Sequence, residues 1–388
     1  MSPRVRTCLS LILAFIALVQ FAVAGIADSG DGTMLQEGGA GGNADRLELY
    51  KTIRACTGKV IANFGDGASS VGTGVCVLGT GEGSKVKLLI TNAHVVSRID
   101  SKSREIEAAP TVKVKYWQKN GDLTLDAYIL YLEWNEKTMK DLAYLIVKDP
   151  ENRLSIASRW SAAEVGETVY ACGNPLGEEF LIDDGQVLKP DVIGLLPHER
   201  NRLTVHDAFI ERGSSGGGLF NSRGELVGVN TWLVAGKHGL AQRASWFFEN
   251  HRFNTFKLST NNAVEVTFDD KITPGQAIRA AAIGKYRCVK GGTLMNGAGV
   301  AGEAAKRRWK DHNFGAVMLE IGDEVRSFNK ALMGPGGEAI IYDDVAVLDE
   351  FSATGRIHFQ TNDKDILDNG EYFNVEIVYL VRGAPQSF

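Results

Sequence analysis

No Cys-x-x-Cys pair occurs in the 388 residues, and the five cysteines stand far apart. That excludes the tetrahedral zinc sites built on such pairs. A basic surplus is missing too. With 42 Lys and Arg against 47 Asp and Glu, the net charge is −5, and nothing in the composition argues for a nucleic-acid partner. The one basic cluster, Lys306–Lys310, is short and reads as a solvated face. Long apolar runs are scarce. The longest, Leu9–Phe21, is shorter than the roughly 20 residues that a bilayer-spanning helix needs. The glycine-rich stretch "ERGSSGGGLF", Glu211–Phe220, has no lysine within or just after its glycines and leads into a strand, so it is not a phosphate-binding loop. Nor does the chain alternate strands with helices as a doubly wound parallel sheet does.

What is present begins with targeting. Arg4 and Arg6 precede the apolar run, and Ala22-Val23-Ala24 follows it before Gly25. This is the three-part layout of a secretory signal peptide, residues 1–24, and implies an exported protein, periplasmic or secreted. Cys8 leaves with that segment. Cys56, Cys76, Cys172 and Cys288 remain, an even count that permits disulfides in an exported chain. Residues 25–44 are glycine-rich and almost without large apolar side chains, a composition that cannot build a core and reads as a disordered leader. Asp45 and Glu48 have the spacing of a capping box before a short helix. From Lys59 to about Thr231 short β-branched and aromatic runs alternate with Gly, Asn and Asp turns, the pattern of an all-β barrel or sandwich. Ser245–Phe253 reads as a closing helix. Residues 45–254 thus form one domain, 255–262 a polar linker, and 263–388 a second all-β domain long enough to have its own core and to fold alone.

The glycine run fits a nucleophile loop. A serine hydroxyl attacks only when an imidazole takes its proton and a carboxylate holds that imidazole. Glycines let backbone N–H groups aim at a developing oxyanion. His94 stands where the apolar strand "LLIT" runs into a small-residue turn. Asp141 opens the apolar strand "LAYLIV", where an acid is costly without a partner. Ser215 completes a His–Asp–Ser order.

These residues carry a resemblance. "GTGVCV", "LLITNAHVV", "DLAYLIV", "VYACGNPLG" and "HDAFIERGSSGGGLFNSRGELVGVNT", in this order, resemble the HtrA/Deg type of trypsin-like serine protease over about Leu49–Phe253. The resemblance implies a chymotrypsin-like double β-barrel with the triad in the crevice between the barrels. It implies His94 as general base, Asp141 as its orienting carboxylate and Ser215 as nucleophile. Gly213 and Ser215 would be the oxyanion-hole donors, and Phe209, Asn230, Thr231 and Trp232 the specificity pocket, with Phe209 at its base. No cofactor is required, the substrates are polypeptides, and assembly into oligomers is compatible with it. The sequence departs from the family at Glu211-Arg212, Ser214 and Gly218. These departures bear on the order of the oxyanion loop, and a protease fold kept as an idle binding module is the alternative. The family's usual PDZ pattern is absent. Residues from about Ala263 to Leu380 instead resemble a β-sandwich of the calcium-dependent galactose-binding lectin type, with the pre-peptidase C-terminal sandwich as competitor. That resemblance implies a saccharide or cell-surface ligand. The acidic loop offers Asp363, Asp368 and Asn369 as oxygen ligands for Ca²⁺, against the plainer reading as a solvated loop.

Overall fold

The computed structural model describes residues 40–79, 86–99, 106–118, 121–135, 140–193, 202–234, 238–259, 264–266, 277–285, 298–301, 310–313, 316–328, 331–333, 339–341, 345–352, 357–361 and 374–382. The signal segment, most of the leader, Cys288, Asp363, Asp368 and Asn369 lie outside the described residues. Helix α1 spans Ala40–Ala55. It starts ahead of Asp45 and carries no acid in its first turn, so the expected capping box does not form its N-terminus.

Two closed six-stranded barrels follow, a chymotrypsin-like double barrel. The first is made by β1 (Thr57–Asn63), β2 (Ser69–Gly79), β3 (Val86–Thr91), β6 (Thr111–Tyr116), β7 (Leu123–Asn135) and β8 (Lys140–Lys148), closing in the order β1-β2-β3-β8-β7-β6. Between β3 and β6 come a single helical turn, α2 (Ala93–Val96), and a small ribbon of β4 (Ser97–Ile99) with β5 (Ile106–Ala108). The second barrel joins β9 (Thr168–Gly173), β10 (Leu181–Ile193), β11 (Arg202–His206), β12 (Gly218–Asn221), β13 (Leu226–Val234) and β14 (His238–Arg243). Helix α3 (Ala244–Asn250) closes it. The expected helix to Phe253 stops there, because His251 opens strand β15 (His251–Ser259).

Strand β15 belongs to the C-terminal region. It pairs along its whole length with β24 (Asn374–Arg382), so residues 255–259 form sheet where the sequence suggested a linker. That sheet continues through β17 (Ala277–Ile283) to β22 (Val345–Ser352). A second four-stranded sheet orders β16 (Val264–Val266), β23 (Ile357–Thr361), β18 (Val317–Ile321) and β19 (Glu324–Ser327). Strands β20 (Ala331–Met333) and β21 (Ala339–Ile341) pair with each other.

The unbroken apolar run of β8 is explained by burial on both faces. A strand sends successive side chains to opposite sides. Ala143, Leu145 and Val147 point into the first barrel with Val60, Val114 and Ile129. Leu142, Tyr144 and Ile146 point the other way into a second core. That core includes Ala281, Ile283, Val378 and Leu380 of the C-terminal sheet. The Tyr144 hydroxyl bonds Nδ1 of buried His251 at 3.0 Å, and its ring packs edge-on against Phe253. The C-terminal sheet thus shares its core with the first barrel. Cys56, Cys76 and Cys172 are buried free thiols, so no disulfide links any two of them. Burial pushes Cys56 and Cys172 up to about 12, which keeps them as inert apolar side chains.

Leu380→Ala should therefore destabilise the full chain by about 2–5 kcal/mol in urea unfolding, the usual cost of emptying a buried leucine site. A fragment of 263–388 lacks β15, so it should lose cooperative unfolding, and one beginning at His251 should regain part of it.

Candidate active site

The site lies where the ends of several strands meet. β3 ends at Thr91, and the single turn of α2 carries His94. The helical turn bends the chain so that the His94 backbone N–H reaches Oδ1 of Asp141 at 3.0 Å while its ring Nδ1 reaches Oδ2 at 2.5 Å. Both carboxylate oxygens are thereby occupied by one residue. Asp141 has no exposed surface, whereas the His94 side chain is 36% exposed. The Asp141 side of the pair is therefore closed and the His94 side opens on a cleft.

Asp141 is held from below as well. Its carbonyl accepts Nδ2 of Asn92 at 2.8 Å and Nε2 of Gln242 at 2.7 Å. Both amides also donate to Thr231 Oγ1 at 3.1 Å, whose own hydroxyl proton goes to Val229 O. Asn92, Gln242 and Thr231 are buried, so this polar layer is screened from water and spans both barrels. Trp134 is the register partner of Asp141 on β7 and sets its ring edge-on to His94, 6.4 Å between centroids.

Ser215 sits in the glycine loop between β11 and β12. The loop is fastened to both barrels through backbone: Thr73 N–H of β2 donates to Ser215 O at 2.8 Å, and Gly216 N–H donates to Asn230 O of β13 at 2.7 Å. The glycines are required by contact. Gly216 has φ +84 and a Cβ there would fall 2.1 Å from Thr73 O. Gly213 has φ +102 and its Cβ would fall 2.2 Å from Asn174 O. Glu211–Ser214 is a turn closed by Ser214 N–H to Glu211 O at 2.9 Å. Positive φ at its third position makes it type II. Thr73 Oγ1 donates to Gly213 O at 2.7 Å and accepts Asn174 Nδ2 at 2.9 Å. Among the described residues, neither the Gly213 nor the Ser215 N–H donates to a protein acceptor.

His94, Ser215, Asn230, Thr231 and Trp232 line one cleft of about 380 Å³, together with Trp134, Ile210, Glu211, Arg212 and Leu233. Phe209 does not line it. It is 49% exposed, and its N–H is drawn to Asp183 Oδ2 at 2.7 Å. Its buried neighbour Ile210 takes the place expected for it, because adjacent residues face opposite ways in extended chain. Sequence reasoning missed Asn92 and Gln242. The asparagine two residues before His94 was the available signal, whereas Gln242 comes from a distant strand with no local mark.

Part of the chain is similar to known proteins. Residues 72–229 match the family model of the trypsin-like peptidase domain. The putative serine protease HhoB of Synechocystis sp. is 33% identical over 169 residues, 42% of this chain and 36% of that protein. The periplasmic serine endoprotease DegP of Escherichia coli is 29% identical over 163 residues, 40% of this chain and 33% of that protein. The solved structure of the HtrA-type protease AlgW with tripeptide matches with TM-score 0.41 and 22% identity, covering 52% of this chain and 61% of its own. The chain carries a trypsin-like serine peptidase domain. Within that class the domain is similar to proteases of the HtrA/Deg type, and the matches span about a third of the length of these two curated relatives.

One titratable group beneath the cleft gives a stability prediction. His206 is fully buried, with Nε2 3.0 Å from Asn230 Oδ1, and burial lowers it from 6.5 to about 4. Between these two values the unfolded chain holds a proton here that the folded chain does not. Stability is therefore complete above pH 6.5 and falls as the pH drops toward about 4. The loss is roughly 3 kcal/mol at about 1.4 kcal/mol per pH unit. Urea unfolding at a series of pH values should show a slope in this window that is shallower in His206→Gln.

Proposed function

We propose that the chain is an exported serine endopeptidase that cleaves polypeptides through an acyl-enzyme, with His94, Asp141 and Ser215 as its triad. The observation that carries this reading is the pairing of buried Asp141 with His94 Nδ1 at 2.5 Å in a cleft that Ser215 also lines. The carboxylate can only accept, so Nδ1 carries the hydrogen and Nε2 of the neutral ring is left basic. Nε2 takes the Ser215 proton as Oγ attacks the scissile carbonyl. The imidazolium that forms is stabilised by Asp141, then gives the proton to the leaving amine. Water repeats the sequence to release the acid. The undonated N–H groups of Gly213 and Ser215 receive the oxyanion. Ile210 and Trp232 give the cleft apolar walls, and Glu211 and Arg212 bring charges of opposite sign. This lining favours an apolar side chain before the scissile bond over a lysine or arginine. Export rests on the signal-like segment and on similarity to the periplasmic serine endoprotease DegP; among the described residues no helix is long and apolar enough to cross a membrane.

A fluorophosphonate probe should label the full chain and not Ser215→Ala. Absence of labelling in a folded wild type would return the idle-module reading. Asp141→Asn should lose on the order of 10⁴ in turnover on a peptide ester, because the exchanged amide would favour the wrong tautomer. A peptide library should be cut after medium apolar residues, and cleavage mainly after Lys or Arg would overturn the pocket assignment.

A further inference from the structure

We propose that Leu176 is a positioning residue for the oxyanion site, held in a left-handed backbone conformation so that its N–H fixes the peptide between Arg212 and Gly213. Leu176 has φ 52 and ψ 20, a region that a leucine rarely occupies. Burial does not account for the strain, since Leu176 is 74% exposed. What the conformation does achieve is one hydrogen bond, Leu176 N–H to Arg212 O at 2.8 Å.

That bond has a consequence one atom further on. In a trans peptide the C=O and the next N–H point in opposite directions. With the Arg212 carbonyl turned to Leu176, the Gly213 N–H is turned away from it. A four-residue turn closed by the same end-to-end bond has two common forms, which differ by rotation of the middle peptide through about 180°. In type II, found here, the carbonyl faces Leu176. In type I the peptide is reversed, and the carbonyl would take the direction that Gly213 N–H now holds. The Leu176 bond therefore selects between a donor and an acceptor at that point.

The segment that carries Leu176 is itself anchored. Asn174 is buried, gives Nδ2 to Thr73 Oγ1 and accepts Phe180 N–H at 3.1 Å. Phe180 also has positive φ, 57, and its carbonyl accepts Arg54 Nε at 3.1 Å. The same Asn174 presents the carbonyl that leaves no room for a Cβ on Gly213. Segment 174–180 and the turn 211–214 thus fit against each other at two points, one contact and one hydrogen bond.

The inference rests on Gly213 serving the oxyanion, and its test separates the two. Leu176→Val places a β-branched residue where positive φ is most resisted, and Leu176→Gly occupies the region without steric cost. Loss of a single oxyanion donor costs about 10²–10³ in kcat. We expect the valine variant to lose at least about tenfold in kcat on a peptide ester with KM little changed, and to lose affinity for a peptide boronate by a similar factor. The glycine variant is the rescue. Unchanged kcat and boronate affinity in a folded valine variant, or a change confined to KM, would overturn the assignment. Amide hydrogen exchange by NMR on the full chain needs no turnover. The Leu176 amide should be protected despite its exposed side chain, and a freely exchanging amide would sink the proposal even if the probe labels Ser215. A protected amide in a chain that takes no probe would instead refute the peptidase reading and leave the loop geometry standing.

Discussion

A carboxylate with no exposed surface has to be satisfied where it stands, and the arrangement around Asp141 follows from that requirement. Leaving an ionised carboxylate buried without partners costs several kcal/mol. Here its two oxygens take the backbone and the ring of His94. Its carbonyl takes two buried amides, one from Asn92 in the first barrel and one from Gln242 in the second. The barrels are therefore joined at the cleft by directional bonds, and the ring orientation follows from the same set. Each of the two acceptors, Asp141 O and Thr231 Oγ1, takes a hydrogen bond from both amides, so the layer is cross-linked from the two sides of the cleft.

The serine loop meets a different constraint, that of space. Gly213 and Gly216 lie against carbonyl oxygens of other segments at distances that exclude any side chain. Close approach of backbone to backbone gives the loop its shape, and Thr73 ties it with a backbone bond and a hydroxyl bond. The substitutions at Glu211-Arg212, Ser214 and Gly218 leave this frame intact. Ser214 is buried, with Oγ accepting the Glu211 N–H at 3.3 Å, and Gly218 opens β12 against β13.

Much of this was legible in the sequence because it was local. The strand run into "TNAHVV", the acid heading an apolar strand and the serine among glycines each mark a short-range requirement, and the double barrel was what the family resemblance they carry implied. Phe209 and Ile210 were not separable, because alternation fixes that neighbours face apart and leaves open which one faces the cleft. The role of β15 was hidden by its polar-looking "NTFKLS", which pairs with a strand more than a hundred residues away. Gln242 was silent for the same reason. The buried thiols Cys56, Cys76 and Cys172 could not be told from bridged ones by spacing alone.

The two-sided burial of β8 has a consequence for how this chain can change over time. Odd-numbered positions of the strand answer to the first barrel and even-numbered ones to the core that it shares with the second barrel and the C-terminal sheet, while its first buried residue is Asp141. Exchange of the C-terminal region for an unrelated module would strip cover from Tyr144, whose hydroxyl and ring meet His251 and Phe253 of β15. The strand that holds the acid would then present a large aromatic side chain to water and leave its hydroxyl without the His251 partner. The two parts of the gene product are for that reason poor subjects for shuffling. A sequence change on His251 or Phe253 is felt at Tyr144, so the two regions are expected to be inherited as a matched pair.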